Sequence, residues 1–241
     1  MQRAMIDLNY PGTELELFSE ATNWKSYLRS VLEPYFGARV LEVGAGIGGT
    51  TKQFCRGTET SWICLEPDVH LAEQLAASIR QQEIPACCQV RVGTLDQMPE
   101  QDSFDTLMYI DVLEHIEDDR SELARASDFL KPGGYLLVLC PAHQYLYTPF
   151  DIAIGHFRRY SKAMLKAAAP DDLQLRRLIY LDSVGLLASL ANRLILKSSM
   201  PNARQIRFWD QRMVPFSRLL DPLIGYSLGK SVLGVWQKRS T

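Results

Sequence analysis

The chain has 241 residues, of which 46% are apolar and 22% charged, with a formal net charge of −2. That length and apolar content suit one large α/β core, so a single domain over 1–241 is expected with no second globular unit, and the small net charge argues against a nucleic-acid footprint. The average hides an asymmetry: residues 1–150 hold 11 Lys+Arg against 22 Asp+Glu, a balance of −11, whereas residues 151–241 hold 15 against 6, a balance of +9. The basic end suits either an anionic partner or the acidic first part of the same chain.

In chain order, MQRAMIDLNYPGTEL has no apolar run of the signal-peptide kind, and no stretch of about eighteen uncharged apolar residues follows. A soluble, intracellular and cytoplasmic chain is therefore expected. NWKSYLRSVL (23–32) has helical spacing, with Trp24 and Tyr27 on it. Short apolar strands then alternate with amphipathic helices, the pattern of a parallel sheet covered on both faces. Strands are predicted at 39–43, 61–66, 88–93, 104–110 and 134–140. Helices are predicted at 48–56, from His70 (HLAEQLAASIRQQ) and from Ser121 (SELARASDFL), the last closed by a KPGG turn. Residues 173–180 and 231–238 read as two more strands. The connections 141–170 and 181–229 are long, aromatic and apolar, and long connections in compact domains tend to carry function. The apolar run 178–196 is interrupted by Asp182, Asn192 and Arg193, which opposes a spanning helix and fits a helix on the core, a dimer face or a peripheral membrane contact.

Five cysteines, Cys55, Cys64, Cys87, Cys88 and Cys140, show neither C-x-x-C nor a matched His spacing, so buried free thiols and no metal are expected.

The segment VLEVGAGIGGTT (40–51) contains G-x-G-x-x-G between a strand and a helix, where free N–H groups and the positive helix end face a ligand. Glu66 ends the next strand about twenty residues on, as a ribose-binding acid does. Both a dinucleotide and an adenosyl cofactor fit so far. Glu42, two positions before Gly44, decides at this level: a carboxylate aimed at the loop repels a pyrophosphate and favours a sulfonium and an ammonium.

VLEVGAGIGGTT resembles the first motif of class I S-adenosylmethionine-dependent methyltransferases. Further segments match in order: Glu66 and Pro67 in CLEPD, GTLDQMP (93–99), FDTLMYIDVLEHIEDD (104–119) and LKPGG (130–134). The resemblance implies a Rossmann-like, seven-stranded, mostly parallel sheet with helices on both faces, an antiparallel last strand and a helical insertion before it. It implies S-adenosylmethionine as cofactor, with S-adenosylhomocysteine as product. It also implies an N-terminal helical lid (1–37), a cofactor core (38–142) and substrate-region insertions (143–170 and 181–229). The implied cofactor residues are Glu42, Gly44, Ala45, Gly46, Gly48, Glu66, Pro67, Thr94, Leu95, Asp96 and Asp111. Thr94 stands where many relatives have Asp, so Asp96 or backbone groups are the alternatives there. The stretch PAHQYLYTPFDIAIGHFRRYSKAML (141–165) and GYSL (225–228) resemble a bacterial subgroup related to the ubiquinone-biosynthesis type.

Methyl transfer is an in-line displacement that needs a base only for a protonated nucleophile. His115, His143 and His156 are the candidates, at the carboxyl edge of the sheet where open α/β sheets bind ligands. His70 reads as a surface residue, and Glu114, Glu117, Asp118 and Asp119 as a solvated acidic run. Arg158 and Arg159 are candidates for clamping a substrate carboxylate or phosphate, or for salt bridges to the acidic part. Tyr145, Tyr147, Phe150 and Phe157 are candidates for an acceptor pocket, with core packing as the alternative. The expected activity is transfer to O or N of a small-molecule or lipid- or sugar-linked acceptor by a monomer or homodimer. Nucleic acid is not expected, since IDVLEH lacks the N/D-P-P-aromatic pattern of DNA amino-methylating enzymes. A turnover-free cofactor- or partner-binding module and an NAD(P)-dependent oxidoreductase are the competing readings.

Overall fold

The computed structural model describes residues 13–191 and 202–240. Seven strands form one sheet: β1 Arg39–Val43, β2 Ser61–Glu66, β3 Cys88–Val92, β4 Phe104–Ile110, β5 Leu130–Pro141, β6 Leu173–Leu181 and β7 Ser231–Lys238. Their order is β3-β2-β1-β4-β5-β7-β6. The first five run parallel, and β7 is antiparallel to both β5 and β6. The central strands are nearly continuous apolar runs because both faces are covered. One buried cluster holds Phe54, Trp62, Trp24 and Trp209, and the other holds Phe104, Leu123, Leu136 and Leu165.

The helices are α1 Thr13–Ser19, α2 Thr22–Leu32, α3 Thr51–Phe54, α4 Val69–Arg80, α5 Asp119–Asp128, α6 Pro149–Ala153, α7 Lys162–Ala168, α8 Ser183–Ala191, α9 Ala203–Phe208 and α10 Val214–Leu223. A π-turn, Trp209–Met213, joins α9 to α10. α4 starts where Asp68 accepts the N–H groups of His70 and Leu71, a side-chain cap for two orphan donors.

Two expected elements differ. The helix over 48–56 contracts to α3, because Gly48 lies at φ +83° and the loop before it must turn sharply. KPGG is not a turn before β5 but a bulge within it. Phe104 pairs with Leu130 while Thr106 pairs with Tyr135, so the intervening residues loop out of the ladder. The 178–196 run divides into the end of β6, a reversal at Asp182 (φ +65°) and α8, and its residues 192–196 lie outside the described residues, as do residues 1–12 of the expected lid. No helix among the described residues is long and apolar enough to cross a membrane.

Three buried aspartates fasten the 182–230 connection to the rest. Asp221 accepts from Tyr27 Oη on α2 (2.9 Å), from the Asp182 N–H (2.7 Å) and from the N–H and hydroxyl of Ser183 (3.0 and 2.5 Å). Asp182 accepts from Trp209 Nε1 (2.7 Å), the Ser217 hydroxyl (2.5 Å) and the Gly185 N–H (3.0 Å). Asp210 accepts the N–H groups of Asn23 and Trp24 at 3.2 and 2.8 Å. It thereby caps α2 from 186 residues away, where Ala21 supplies no side-chain cap. Asp221→Ala leaves four donors without their acceptor and is expected to cost roughly 3 to 5 kcal/mol. Urea unfolding measures this, and a loss under about 1 kcal/mol would show the network to be dispensable.

Candidate active site

The loop after β1 is set by three left-handed glycines. Gly44 (φ +67°) has no room for a side chain, since a Cβ there would lie 2.7 Å from Val112 Cγ2. Its N–H and that of Ala45 both donate to the Leu65 carbonyl, at 2.8 and 3.2 Å. Gly48 (φ +83°) faces Leu75, 2.3 Å from where its Cβ would be. Glu66, buried at the end of β2, accepts from the Gly46 N–H (2.7 Å) and the Asp68 N–H (3.0 Å). Burial raises its pKa, and those two hydrogen bonds oppose the rise.

Above this loop lies a cavity of about 330 Å³. Its floor is Gly44–Gly46, Asp111 and Pro141 at the strand ends, and its roof comes from α1 and α2 through Phe18, Trp24 and Lys25. Lys25 Nζ donates to the carbonyls of Phe18 (2.9 Å) and Ser19 (2.8 Å), tying α1 down. Burial draws its pKa down to about 8, against the pull of Asp210, Glu42 and Asp111. Asp111 sits at φ +55° and reaches the cavity solvent, and its confined position lifts its carboxyl to about 6, against His156, Lys230, Arg159 and Lys25. Lys230 Nζ lies 3.5 Å from the Trp209 ring centroid and 3.4 Å from Asp182.

The far wall holds a compact polar cluster. His156 Nδ1 is 2.9 Å from Asp151 Oδ1, and its Nε2 is 3.8 Å from Glu114 Oε1. Asp151 is fully buried and also receives Arg159 Nε and Nη2 at 2.8 and 3.0 Å. Burial alone would raise this carboxyl, but bonds from His156 and Arg159 hold it well below the usual range. Asp151 is therefore ionised, and Nδ1 of His156 donates to it, which leaves Nε2 as the ring nitrogen not engaged by Asp151. His115 stands edge-on to His156 with centroids 4.6 Å apart, and burial plus that neighbour lower its pKa to about 4. Neither carboxylate oxygen of the fully buried Glu114 has a hydrogen-bond partner, and burial, with Asp111 nearby, drives its pKa well above normal.

A family described as a methyltransferase domain matches residues 41–136. The ubiquinone biosynthesis O-methyltransferase of Rhodopseudomonas palustris (strain BisB18) is 28% identical over 103 residues, 42% of this chain and 39% of that protein. Its counterpart from Xanthomonas axonopodis pv. citri (strain 306) is 30% identical over 115 residues, 46% of each. The chain thus matches less than half the length of these curated relatives. Among solved structures, geranyl diphosphate C-methyltransferase of Streptomyces coelicolor A3(2) superposes with a TM-score of 0.64 at 14% identity, over 99% of this chain and 88% of that one. Residues 41–136 thus match a methyltransferase domain, and the chain shares its fold with a solved methyltransferase.

The expected site residues divide. Gly44, Ala45, Gly46, Asp111, His115, His156 and Arg159 line the cavity, as do Trp24 and Phe150. Several do not. Glu42 is turned beneath the loop, its Oε2 accepting from Thr51 Oγ1 and Trp62 Nε1 at 2.8 Å each. The expectation that its charge faces the ligand is therefore corrected: a strand alternates its faces, and this position points into the layer below. His143 is also away from the cavity. Its Nε2 is 2.9 Å from the Gly229 carbonyl and its ring lies between Tyr145 and Tyr180.

Arg158 bridges to Asp119 (2.9 Å) and donates to the Glu117 carbonyl (2.8 Å), so its guanidinium is already occupied. Tyr145 stacks on His143, and Tyr147 donates its hydroxyl to the His156 carbonyl at 2.5 Å, which braces the histidine rather than lining the cavity. Thr94, Leu95 and Asp96 form a capped turn in which Thr94 bonds to Asp96 and Gln97. Thr94 borders a separate cavity of about 140 Å³ that also includes Leu65 and Met98. Glu114 is not part of a solvated run, because the turn Leu113–His115 buries it completely.

Lys25, Lys230 and Asp151 were not singled out by sequence, since each is an isolated charge until the fold gathers it. The expected absence of metal ligands rested on spacing along the chain, which says nothing of side chains that folding brings together. Among the described residues, Glu114, His115 and His156 bring ligand atoms within 4.8 Å of one another, as do Cys55, Cys87 and Cys88.

Burial lifts the Glu42 carboxyl to about 7, against the bonds from Thr51 and Trp62. A carboxyl raised on folding stabilises the protein below its unfolded value of 4.5 and loses that contribution as pH climbs through about 7. Glu42→Gln keeps an acceptor for both donors. Relative to wild type, it is expected to flatten the fall in stability across that window, measured as urea midpoints from pH 4.5 to 7.5. Identical pH slopes in the two proteins would overturn the titration assigned to Glu42.

Proposed function

We propose that the protein is an S-adenosylmethionine-dependent methyltransferase acting on an oxygen or nitrogen nucleophile of a small or lipid- or sugar-linked acceptor. The observation that carries this reading is one cavity joining the glycine loop to the His156–Asp151 pair. Its volume falls within the range of small-molecule sites, about 300 to 1,000 Å³. The residues fit the cofactor. The loop offers a side-chain-free cradle at Gly44 and Gly46, Asp111 and Lys25 at the cavity suit an ammonium and a carboxylate, and Glu66, which accepts from the Gly46 N–H, is the acid suited to the ribose hydroxyls.

The bound cofactor supplies a methyl group on a positively charged sulfur, already an excellent leaving group. The chain's own tasks are then alignment, exclusion of water and removal of one proton. Phe18, Trp24, Phe150 and Ile154 form apolar walls that keep water from the reacting atoms. His156 Nε2 is the atom offered to an acceptor O–H or N–H, while Asp151 fixes the ring through Nδ1. His115, lowered to about 4, is the weaker base beside it.

The acceptor's character is suggested by α9 and α10. Phe208, Phe216, Leu219 and Leu223 are exposed there, with Arg204, Arg207, Arg212 and Arg218 among them. An apolar strip edged by guanidinium groups suits an anionic, amphiphilic surface. Pelleting with vesicles containing an anionic phospholipid is expected, weakening as salt rises, whereas vesicles of zwitterionic lipid alone leave the protein in solution. Failure to pellet with either would remove the membrane-surface reading and leave a small soluble acceptor.

Calorimetric titration is expected to show binding of S-adenosylmethionine and S-adenosylhomocysteine and none of NADH. Glu66→Ala should weaken cofactor affinity by about 1.5 to 3 kcal/mol, roughly 10- to 150-fold. Unchanged affinity would remove Glu66 from the site. With an acceptor found by screening catechols, phenols and amines, His156→Ala should lower kcat about 10²- to 10⁴-fold with cofactor affinity intact. His143→Ala should turn over normally, and equal effects of the two substitutions would refute the choice of base.

A further inference from the structure

At the sheet edge opposite the cavity, the fold assembles a second group of reactive side chains. Cys55 directly follows α3, Cys87 precedes β3 and Cys88 opens it, so residues more than thirty positions apart meet. Their three sulfur atoms lie within 4.8 Å of one another, and Cys55 Sγ and Cys87 Sγ are 3.4 Å apart. Glu59 Oε2 is 3.5 Å from Cys55 Sγ, and the Arg56 N–H holds that carboxylate in place at 3.1 Å. Cys55 and Cys88 are buried, while Cys87 and Glu59 are only partly so, which leaves a route in from solvent.

We propose that Cys55, Cys87, Cys88 and Glu59 form a tetrahedral zinc site. Zn–S bonds of about 2.3 Å and a Zn–O bond of about 2.0 Å at tetrahedral angles place sulfurs about 3.8 Å apart and sulfur from oxygen about 3.5 Å apart. The Cys55–Cys87 and Cys55–Glu59 separations approach these values, Cys88 Sγ lies within 4.8 Å of the other two sulfurs, and closing Glu59 onto the ion takes a side-chain movement. Three thiolates with one carboxylate are a soft-to-borderline donor set, which selects zinc over magnesium or calcium. All four positions are filled by the protein, which is the pattern of a structural rather than a catalytic zinc. Zn²⁺ replaces the three thiol protons, which leave to solvent, and no electron changes hands.

In the metal-free protein the thiols are held protonated. A hydrogen bond to Cys88 and burial keep Cys55 well above the usual thiol range, and burial pushes Cys87 up to about 11. The placement also has a mechanical consequence. α3 is only four residues long and hangs from the glycine loop, with Thr51 fixed to Glu42 at one end and Cys55 at the other. Phe54, next to Cys55, lines the cavity, so the metal pins the helix that supports the site.

The test is titration of the full, reduced chain with Co²⁺ alone under anaerobic conditions, followed by Zn²⁺. Expected are tetrahedral ligand-field bands together with thiolate-to-cobalt charge transfer, saturating at one equivalent and bleached by Zn²⁺. Cys87→Ser, at the most exposed of the three positions, should lose most of the charge-transfer band, and Cys140→Ser, in the core away from the cluster, should retain it. Circular dichroism establishes that each variant is folded. Protection of Cys87 from a thiol reagent by Zn²⁺ in the wild-type chain gives a readout that needs no variant. Absence of charge transfer in wild type overturns the proposal, as does its survival in Cys87→Ser. Cobalt bands without a sulfur signature also overturn it, since they place the ion on Glu114, His115 and His156.

Discussion

The arrangement depends on buried carboxylates that serve as acceptors for backbone and side-chain donors from distant segments. Asp221 and Asp182 lie at the foot of the connection between β6 and β7 and collect donors from α2, α8, α10 and the π-turn. An ionised carboxylate out of water is costly unless its lone pairs are filled, and here each receives three or four hydrogen bonds. The same need that keeps them satisfied fixes the roof helices over the sheet. Lys230 is drawn in with them, held between Asp182 and the face of Trp209.

With the roof fixed, the cavity becomes a region where charge is controlled by burial. Lys25 is lowered, Asp111 and Glu114 are raised and Asp151 is kept ionised by His156 and Arg159. Unlike neighbours thus hold different protonation states within one small volume, the usual means by which a fold assigns acid and base roles at neutral pH. Asp151 holds His156 through Nδ1, and Tyr147 braces its carbonyl. The ring is therefore oriented by its supports and faces the cavity with one nitrogen. Beneath the loop, Glu42 on β1 holds Thr51 at the start of α3, and Cys55 just past its end lies against Cys87.

Much of the fold was legible in the chain. The strands 39–43, 61–66, 104–110 and 231–238 coincide with the observed elements, because central strands of a covered parallel sheet must be apolar throughout and are bounded by polar turns. The glycine loop was legible for a local reason too, since left-handed backbone at Gly44, Gly46 and Gly48 demands glycine wherever it occurs. KPGG was misread because a glycine pair looks the same in a turn and in a bulge, and only the partner strand distinguishes them. Glu42 was assigned to the ligand because its position next to the loop is visible in sequence, whereas the face it takes depends on where Trp62 and Thr51 lie.

The sequence by itself determined the alternation of strand and helix, the tight glycine turn and the ordered motifs of a methyltransferase domain, because these are set by local steric limits and short-range hydrophobic periodicity. The tertiary structure alone decided which charged residues meet. It set His156 at the cavity and His143 away from it, turned Arg158 to Asp119, sealed Glu114 from water and brought Cys55 to Cys87. Hydrogen bonds, ion pairs and metal ligation act over a few ångströms whatever the distance along the chain. Such partners are invisible until the core has packed and the connections have closed.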